Sequence, residues 1–297
     1  MWGRITRRQH VVMVLVSARD RMLARLPASI RRLDVAGTTT SVWEAGDGPA
    51  ILLLHGGIEC GGAMWAPAVR LLAQRHRVVV PDLPGLGESA PGPRLDVDTF
   101  ATWLAALSRR LGLERPAIVA HSLIGRLTVA TAASRSPAAD RLVVYAAPGL
   151  GPYRLPPRLR YLALRFAIRP TARNAERFDR FALHDLDATR HRDPQWFDAF
   201  VSYTVAQARV PHVRRTMRHL VASQTRRIDD ADLARVGIPT TLLWGRHDRM
   251  VPVSLAEHAA TRHGWPLHVI DDAGHAPHIE RPEAFCAELS TILGAPG

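Results

Sequence analysis

The chain has 297 residues, of which 47% are hydrophobic and 22% are charged, so it can bury one large core with or without an inserted domain. Its composition excludes collagen-like, coiled-coil and disordered proteins. The two cysteines, Cys60 and Cys286, lie far apart, which excludes a disulfide framework and favours two free thiols in a reducing cytoplasm.

The net charge is +12, and all 39 basic residues are arginine. The excess sits on two segments, since residues 1–32 carry +7 and residues 150–230 carry +8. Such segments can attract anionic substrates or a membrane surface, but the sequence favours a solvated arginine-rich surface over either. Aromatic residues make up only 6% and do not alternate with basic ones, so we expect no nucleic-acid partner.

The N-terminal segment resembles neither a signal peptide nor a membrane span. Its apolar run Val11–Val16 is short and leads into Arg19 and Asp20 without a persuasive cleavage site. Residues 11–33 instead favour a basic amphipathic helix that packs on the domain or lies on a membrane surface. We therefore expect a cytoplasmic protein, with a weak membrane contact through residues 1–32 as the alternative.

From Leu33 onward, short apolar runs alternate with longer helical patterns. This alternation predicts an α/β fold with a mostly parallel eight-stranded sheet covered by helices on both faces. The predicted strands are Leu33–Val35, Thr39–Trp43, Ile51–His55, Val78–Pro81, Ala117–Ala120, Leu142–Ala146, Thr240–Trp244 and His268–Ile270. The predicted helices between them are Met64–Gln74, Thr99–Leu111, Leu123–Ser134, Val253–Thr261 and Pro282–Leu293.

The alternation stops after Pro148–Gly149 and resumes at Ile238. Residues 150–230 show no convincing strand, and they predict helices at Pro157–Ile168, Ala172–Leu183, Gln195–Gln207 and Val213–Ser223. We therefore divide the chain into an N-terminal extension (1–32), a core (33–149 and 231–297) and an inserted all-helical cap (150–230).

Ser122 stands where a predicted strand turns directly into a helix. A serine on such a turn projects its hydroxyl away from the sheet, and the N–H of Leu123 then points toward the oxygen of an attacked carbonyl. The loop His55-Gly56-Gly57 follows an earlier strand, and N–H groups near Gly57 and Ile58 can supply a second oxyanion donor.

Two further polar loops follow the last predicted strands, and they contain Asp248 and His275. A serine hydroxyl needs an adjacent base, which His275 can provide, while Asp248 orients the imidazole. Asp271 and Asp272 precede the base too closely to take that role easily. The order Ser122, Asp248, His275 is the order of a catalytic triad on this fold.

With these motifs the sequence resembles the α/β-hydrolase superfamily from about Leu33 to Leu293, in the capped subgroup of esterases, enol-lactonases, carbon–carbon hydrolases and haloperoxidase-like proteins. The segment 81–89, Pro-Asp-Leu-Pro-Gly-Leu-Gly-Glu-Ser, is typical of the family after its fourth strand. The sequence departs from the family at Ala120 and Ile124, where glycine normally flanks the nucleophile. Isoleucine is bulky, so either the local packing or the pocket floor has changed.

Other chemistry has little support in the sequence. His278 follows His275 by three residues, but no carboxylate or cysteine stands at a suitable spacing, so we predict no metal and no cofactor. Aromatic residues predict a substrate pocket only weakly, because such a pattern is more often the core of the helical segment itself. The candidates for that pocket are Trp65, Tyr153, Trp196 and Phe200.

The resemblance implies a hydrolase that cleaves a small-to-medium ester, thioester or lactone through an acyl-enzyme. A carbon–carbon hydrolase of a carboxylated keto substrate is the close alternative, and the basic cap would suit it. Those enzymes generally carry an aromatic residue after the base, whereas this chain has Ala276. A non-hydrolytic cyclase, lyase or haloperoxidase-like member of the fold is the third candidate. The sequence indicates no oligomeric state.

Overall fold

The computed structural model describes residues 17–24, 26–57, 61–135 and 137–294. Their eight strands are β1 (Ser29–Val35), β2 (Thr38–Ala45), β3 (Ala50–Leu54), β4 (Arg77–Pro81), β5 (Ala117–His121), β6 (Arg141–Tyr145), β7 (Thr240–Gly245) and β8 (Leu267–Ile270). They form one sheet in the order β1-β2-β4-β3-β5-β6-β7-β8. The last six strands in this order, β4, β3, β5, β6, β7 and β8, run parallel to one another. Strand β2 pairs antiparallel with both β1 and β4.

Successive residues of each central strand point to opposite faces of the sheet. In β3, Leu52 and Leu54 join one hydrophobic core, while Ile51 and Leu53 join the other. The helices that flank the sheet are α2 (Ala66–Leu72), α3 (Val97–Leu111), α4 (Ser122–Ser134), α11 (Val253–His263) and α13 (Pro282–Leu293), with a one-turn helix α12 (Pro277–Glu280) just before α13. The first core contains residues of α3, α4 and α11, and the second contains residues of α2 and α13, which confirms the predicted coverage of both faces.

Between β6 and β7 the chain is helical. We name α5 (Pro157–Ile168), α6 (Ala172–Ala182), α7 (Leu186–Arg192), α8 (Pro194–Gln207) and α9 (Pro211–Gln224) the helical insertion; a short α10 (Asp230–Leu233) follows it. Helix α7 is missing from the sequence prediction because its residues lack an apolar period. Its start is fixed instead by the Asp185 carboxylate, which accepts a hydrogen bond of 2.9 Å from the Ala188 N–H.

The N-terminal segment differs from the single helix predicted for residues 11–33. Residues 11–16 lie outside the described part of the chain, a short helix α1 (Ala18–Leu23) follows, and Ser29–Val35 is an edge strand. That strand pairs with β2 along its whole length, from Ser29 opposite Glu44 to Val35 opposite Thr38. Its exposed arginines suit an edge strand as well as a helix, which explains the incorrect prediction. No helix among the described residues is both long and apolar enough to cross a bilayer.

Helix α1 is anchored to the core by a buried ion pair. Arg19 Nη2 donates to Asp82 Oδ2 at 3.1 Å and to Ser41 Oγ at 3.1 Å, and the side chains of both members of the pair are at most 7% exposed. Met22 and Leu23 of the same helix are buried in the core beside the insertion. The N-terminal segment from residue 17 onward is therefore part of the folded core.

Replacing Arg19 by Met should destabilise the protein, because it leaves the buried Asp82 carboxylate without its counter-ion. We expect a loss of about 3 kcal/mol in the free energy of unfolding, measured by urea denaturation. Arg110→Met, at an exposed position on α3, is the matched control and should change stability by less than about 0.5 kcal/mol. Equal effects of the two substitutions would contradict a special role for the ion pair.

Candidate active site

Ser122 lies at a strained turn between β5 and α4. Its backbone φ is +53°, a left-handed conformation that a residue with a Cβ rarely adopts. The residue before it is still extended, with φ −99° and ψ 138°, and the residues after it are helical. This abrupt change lifts the serine side chain out of the strand and toward the carboxyl edge of the sheet.

The missing glycine at Ile124 has a structural explanation. Ile124, in the first turn of α4, is fully buried in the hydrophobic core on that side of the sheet. The close approach occurs one residue later, because a Cβ at Gly125 would lie 2.8 Å from the Ala120 carbonyl oxygen and 3.0 Å from the Ala147 Cβ. Gly125 thus provides the space that helix and strand need at this junction.

The structure brings Ser122, Asp248 and His275 together in one hydrogen-bonded line. His275 Nε2 lies 3.0 Å from Ser122 Oγ, and His275 Nδ1 lies 2.8 Å from Asp248 Oδ2. The other oxygen of Asp248 accepts hydrogen bonds of 2.8 Å from the N–H groups of Met250 and Val251. A carboxylate accepts hydrogen bonds, so this geometry fits a tautomer in which Nδ1 donates to Asp248 and Nε2 accepts from the Ser122 hydroxyl.

The loops that carry Asp248 and His275 are tied to the end of helix α6. The His275 N–H donates to the Ala182 carbonyl at 2.9 Å. Arg249, the residue after Asp248, donates to the carbonyls of Leu183 and His184. The position of the base therefore depends on the helical insertion as well as on the sheet.

Glu280 organises the backbone on both sides of the base. Its Oε1 accepts hydrogen bonds from the N–H groups of Gly274 and Ala276, at 2.9 and 3.1 Å, and its Oε2 accepts one of 2.6 Å from the N–H of His184. Burial, with a smaller contribution from the charge of Asp248, raises the pKa of the Glu280 carboxyl to about 7 against the effect of these three hydrogen bonds. The sequence does not single out Glu280, because a lone glutamate gives no signal of burial.

Two more buried histidines surround the base. His121 Nε2 lies 3.0 Å from the His275 carbonyl oxygen and so donates to it, and the His121 ring stacks on Tyr145. His278 Nδ1 lies 3.0 Å from the Tyr145 hydroxyl. Burial, and then the proximity of His275, lowers the pKa of both His121 and His278 well below the usual value, so both are neutral near pH 7.

The proposed oxyanion residues lie under the insertion. A Cβ added at Gly57 would lie 3.2 Å from Leu123 Cδ1, so the glycine loop after β3 and the turn at Ser122 lie next to each other. Ile58 lies outside the described residues. The same Cβ would lie 3.2 Å from Met217 Cε of helix α9. Met217 is thus a residue at this site that the sequence did not indicate, because its helix reads as a surface helix rich in arginine.

Next to His275 lies a cavity of about 20 Å³, which has room for about one water molecule. Of the four aromatic residues predicted to line a pocket, Phe200 alone lines this cavity. Trp65 is fully buried among core side chains, and the Tyr153 hydroxyl donates to the Met250 carbonyl. Trp196 stacks on Phe200 and faces a groove beside helix α1 instead. The spacing of aromatic residues along the sequence does not show which of these side chains point toward the cavity.

A group of possible metal ligands lies beyond the base, where His184, His247 and Asp272 place one ligand atom each within 4.8 Å of the others. The two imidazoles stack with centroids 4.1 Å apart and planes 18° apart. Ring nitrogens bind metals in the ring plane, so one of these nearly parallel rings would have to turn before both could bind one ion. The geometry gives no preformed metal site at this place.

Comparison with known proteins extends this description. A model described as the alpha/beta hydrolase family matches residues 51–288. A 2-hydroxy-6-oxononadienedioate/2-hydroxy-6-oxononatrienedioate hydrolase of Pseudomonas putida is 29% identical over 82% of this chain and 87% of its own length. A pimeloyl-[acyl-carrier protein] methyl ester esterase of Vibrio atlanticus is 27% identical over 84% of this chain and 96% of its own.

Among solved structures, the 2-hydroxy-6-oxo-6-phenylhexa-2,4-dienoate hydrolase of Rhodococcus sp. strain RHA1 is similar, with a TM-score of 0.78 and 25% identity. The match covers 91% of this chain and all of that one. The matched residues run from β3 to β8 and include the loops that carry Gly57, Ser122, Asp248 and His275. The chain therefore belongs to the alpha/beta hydrolase family.

Proposed function

We propose that the chain is a serine hydrolase that cleaves a small-to-medium ester, thioester or lactone through an acyl-enzyme on Ser122. The observation that carries the proposal is the continuous line of hydrogen bonds from Ser122 Oγ through His275 to Asp248. The esterase similarity of the Vibrio relative agrees with it.

In the proposed reaction, His275 Nε2 takes the proton of Ser122 as Oγ attacks the substrate carbonyl carbon. The negative charge that develops on the carbonyl oxygen is stabilised by N–H groups of Leu123 and of the loop at Gly57 and Ile58. His275 then gives its proton to the leaving group, and the acyl group stays on Oγ. A water molecule, activated by the same imidazole, releases the acid and restores the serine.

The cavity beside the base favours an uncharged acyl group. Its apolar lining comes mainly from the insertion, and Asp179 is its one ionisable residue besides His275. No arginine of the insertion is among the lining residues, so the basic charge of this segment faces away from the cavity. A buried carboxylate without a cation costs several kcal/mol, which disfavours the carboxylated keto acids of carbon–carbon hydrolases.

The carbon–carbon hydrolase remains the second candidate, because the names of the relatives from Pseudomonas and Rhodococcus describe dienoate or dienedioate substrates. Both reactions would use the same serine and base. The two candidates differ in what the cavity must bind, and substrate charge is therefore the property that separates them.

Replacing Ser122 by Ala should abolish turnover of a p-nitrophenyl ester, with a decrease in kcat on the order of 10⁶-fold, because no other group can form the acyl-enzyme. Covalent labelling by a fluorophosphonate probe should disappear with it. Ser202→Ala, at an exposed helical position, is the control and should leave both signals unchanged. Labelling that persists in Ser122→Ala would place the nucleophile elsewhere.

A neutral ester should have a kcat/KM at least about tenfold higher than an ester of equal size that carries a carboxylate on its acyl chain, because the lining offers no cation. The ratio should change little between low and high salt, since the arginines lie outside the cavity. Higher kcat/KM for the carboxylated ester, or rapid cleavage of a vinylogous keto acid, would favour the carbon–carbon hydrolase instead.

In this mechanism Glu280 acts as a positioning residue. It does not touch the reacting atoms, but it holds the N–H groups on both sides of His275 and the N–H of His184. Its pKa of about 7 lies above the ordinary value of 4.5. Between these two pH values the folded protein keeps a proton that the unfolded chain releases, so stability decreases as pH rises through this window.

Comparison of the wild-type protein with Glu280→Gln should reveal this dependence. As the pH rises from 4.5 to 7, we expect the wild-type protein to lose up to about 3 kcal/mol of unfolding free energy relative to the variant. Urea denaturation across pH 4.5–8 measures it. Glu114→Gln, at an exposed position, should show no such slope, and a flat difference for Glu280→Gln would contradict the assignment.

A further inference from the structure

The outer face of helix α5 is apolar and exposed. Tyr161, Leu164 and Ile168 are 58%, 61% and 65% exposed, and their spacing of three and four places them on one side of the helix. Among the described residues, only two other large hydrophobic side chains are exposed, and both are less so: Ile30 at 48% and Val221 at 41%. The opposite face of α5 is buried through Leu159, Leu162 and Phe166.

The chain segment that carries this apolar face has basic residues and no acidic ones. Residues 151–175 contain no aspartate or glutamate, and they contain six arginines: Arg154, Arg158, Arg160, Arg165, Arg169 and Arg173. None of the six forms an ion pair within the described part of the chain. Arg165 donates instead to Asn174 and Tyr161, and Arg158 lies over the ring of Phe181.

A partner for this surface must therefore accept apolar side chains and supply many negative groups. An exposed aliphatic stripe bordered by arginines is the pattern of helices that lie in the interface of an anionic bilayer, where apolar side chains enter the acyl boundary and cations meet headgroup phosphates. Helix α5 is already fixed on the core by its inner face, so it could dock without folding first.

We propose that helix α5 is a docking surface for anionic phospholipid membranes, with Tyr161, Leu164 and Ile168 inserted into the interface and the surrounding arginines bound to lipid phosphates. Phe166, on the inner face of the same helix, lines the cavity beside His275. Docking would therefore place the bilayer against the helix that contributes Phe166 to the lining of this cavity. This surface differs from residues 1–32, the segment for which the sequence suggested a membrane contact.

The proposal is tested by co-sedimentation of the full chain with vesicles of equal parts phosphatidylglycerol and phosphatidylcholine, and with phosphatidylcholine vesicles alone. We expect binding to the anionic vesicles that weakens as salt is raised, and little binding to the neutral ones. The double variant L164S/I168S should lower the partition coefficient at least about tenfold, because burial of each aliphatic side chain is lost. The pair R160Q/R169Q should lower it by a similar factor.

Two matched controls keep the result specific. I30S/V221S removes exposed apolar side chains elsewhere, and R109Q/R110Q removes exposed arginines of α3; both should bind anionic vesicles like the wild-type protein. Thermal unfolding and hydrolysis of a soluble ester check that each variant is folded. The proposal would be overturned if the wild-type protein did not bind vesicles or if L164S/I168S bound them fully. It would also be overturned if binding were lost only on replacement of Arg4, Arg7 and Arg8, which belong to the N-terminal segment 1–32.

Discussion

At the end of β5 the chain passes from strand to helix within one residue, and the rest of the site depends on this turn. Ser122 keeps a left-handed backbone there, at a cost of about 1–3 kcal/mol. Continuous burial of β5, and the close contact between Gly125 and the Ala120 carbonyl, hold the turn in place. Because the sheet fixes the serine, the geometry of the site depends on how the other loops place His275 and Gly57 near it.

The base is fixed differently, by groups from several parts of the chain. His121 holds the His275 carbonyl, Ala182 accepts from its N–H, and Glu280 binds the residues on either side. Part of this support comes from the helical insertion. A change in the position of helix α6 would therefore change the imidazole position directly, whereas Ser122 would stay where the sheet places it.

Much of this arrangement could be predicted from the sequence, and the exceptions have physical reasons. The central strands are continuous apolar runs between turn residues, so the sequence predicts where these strands and the polar loops after them occur along the chain. Strand β1 was mistaken for helix because an exposed edge strand rich in arginine has no buried face to mark its period. Glu280 and Met217 gave no signal, since their importance comes from contacts made across the fold. Gly125 was visible, but its role required the distance to Ala120.

The cavity beside His275 has a consequence for kinetics. With room for about one water molecule, the cavity must widen before its lining residues can enclose an acyl chain. Most of those residues belong to the helical insertion, so a displacement of the insertion would widen it, and such motions take microseconds to milliseconds. If Ser122 carries an acyl group as proposed, the access of water to that group depends on the position of the insertion as well as on the side chains bonded to Ser122.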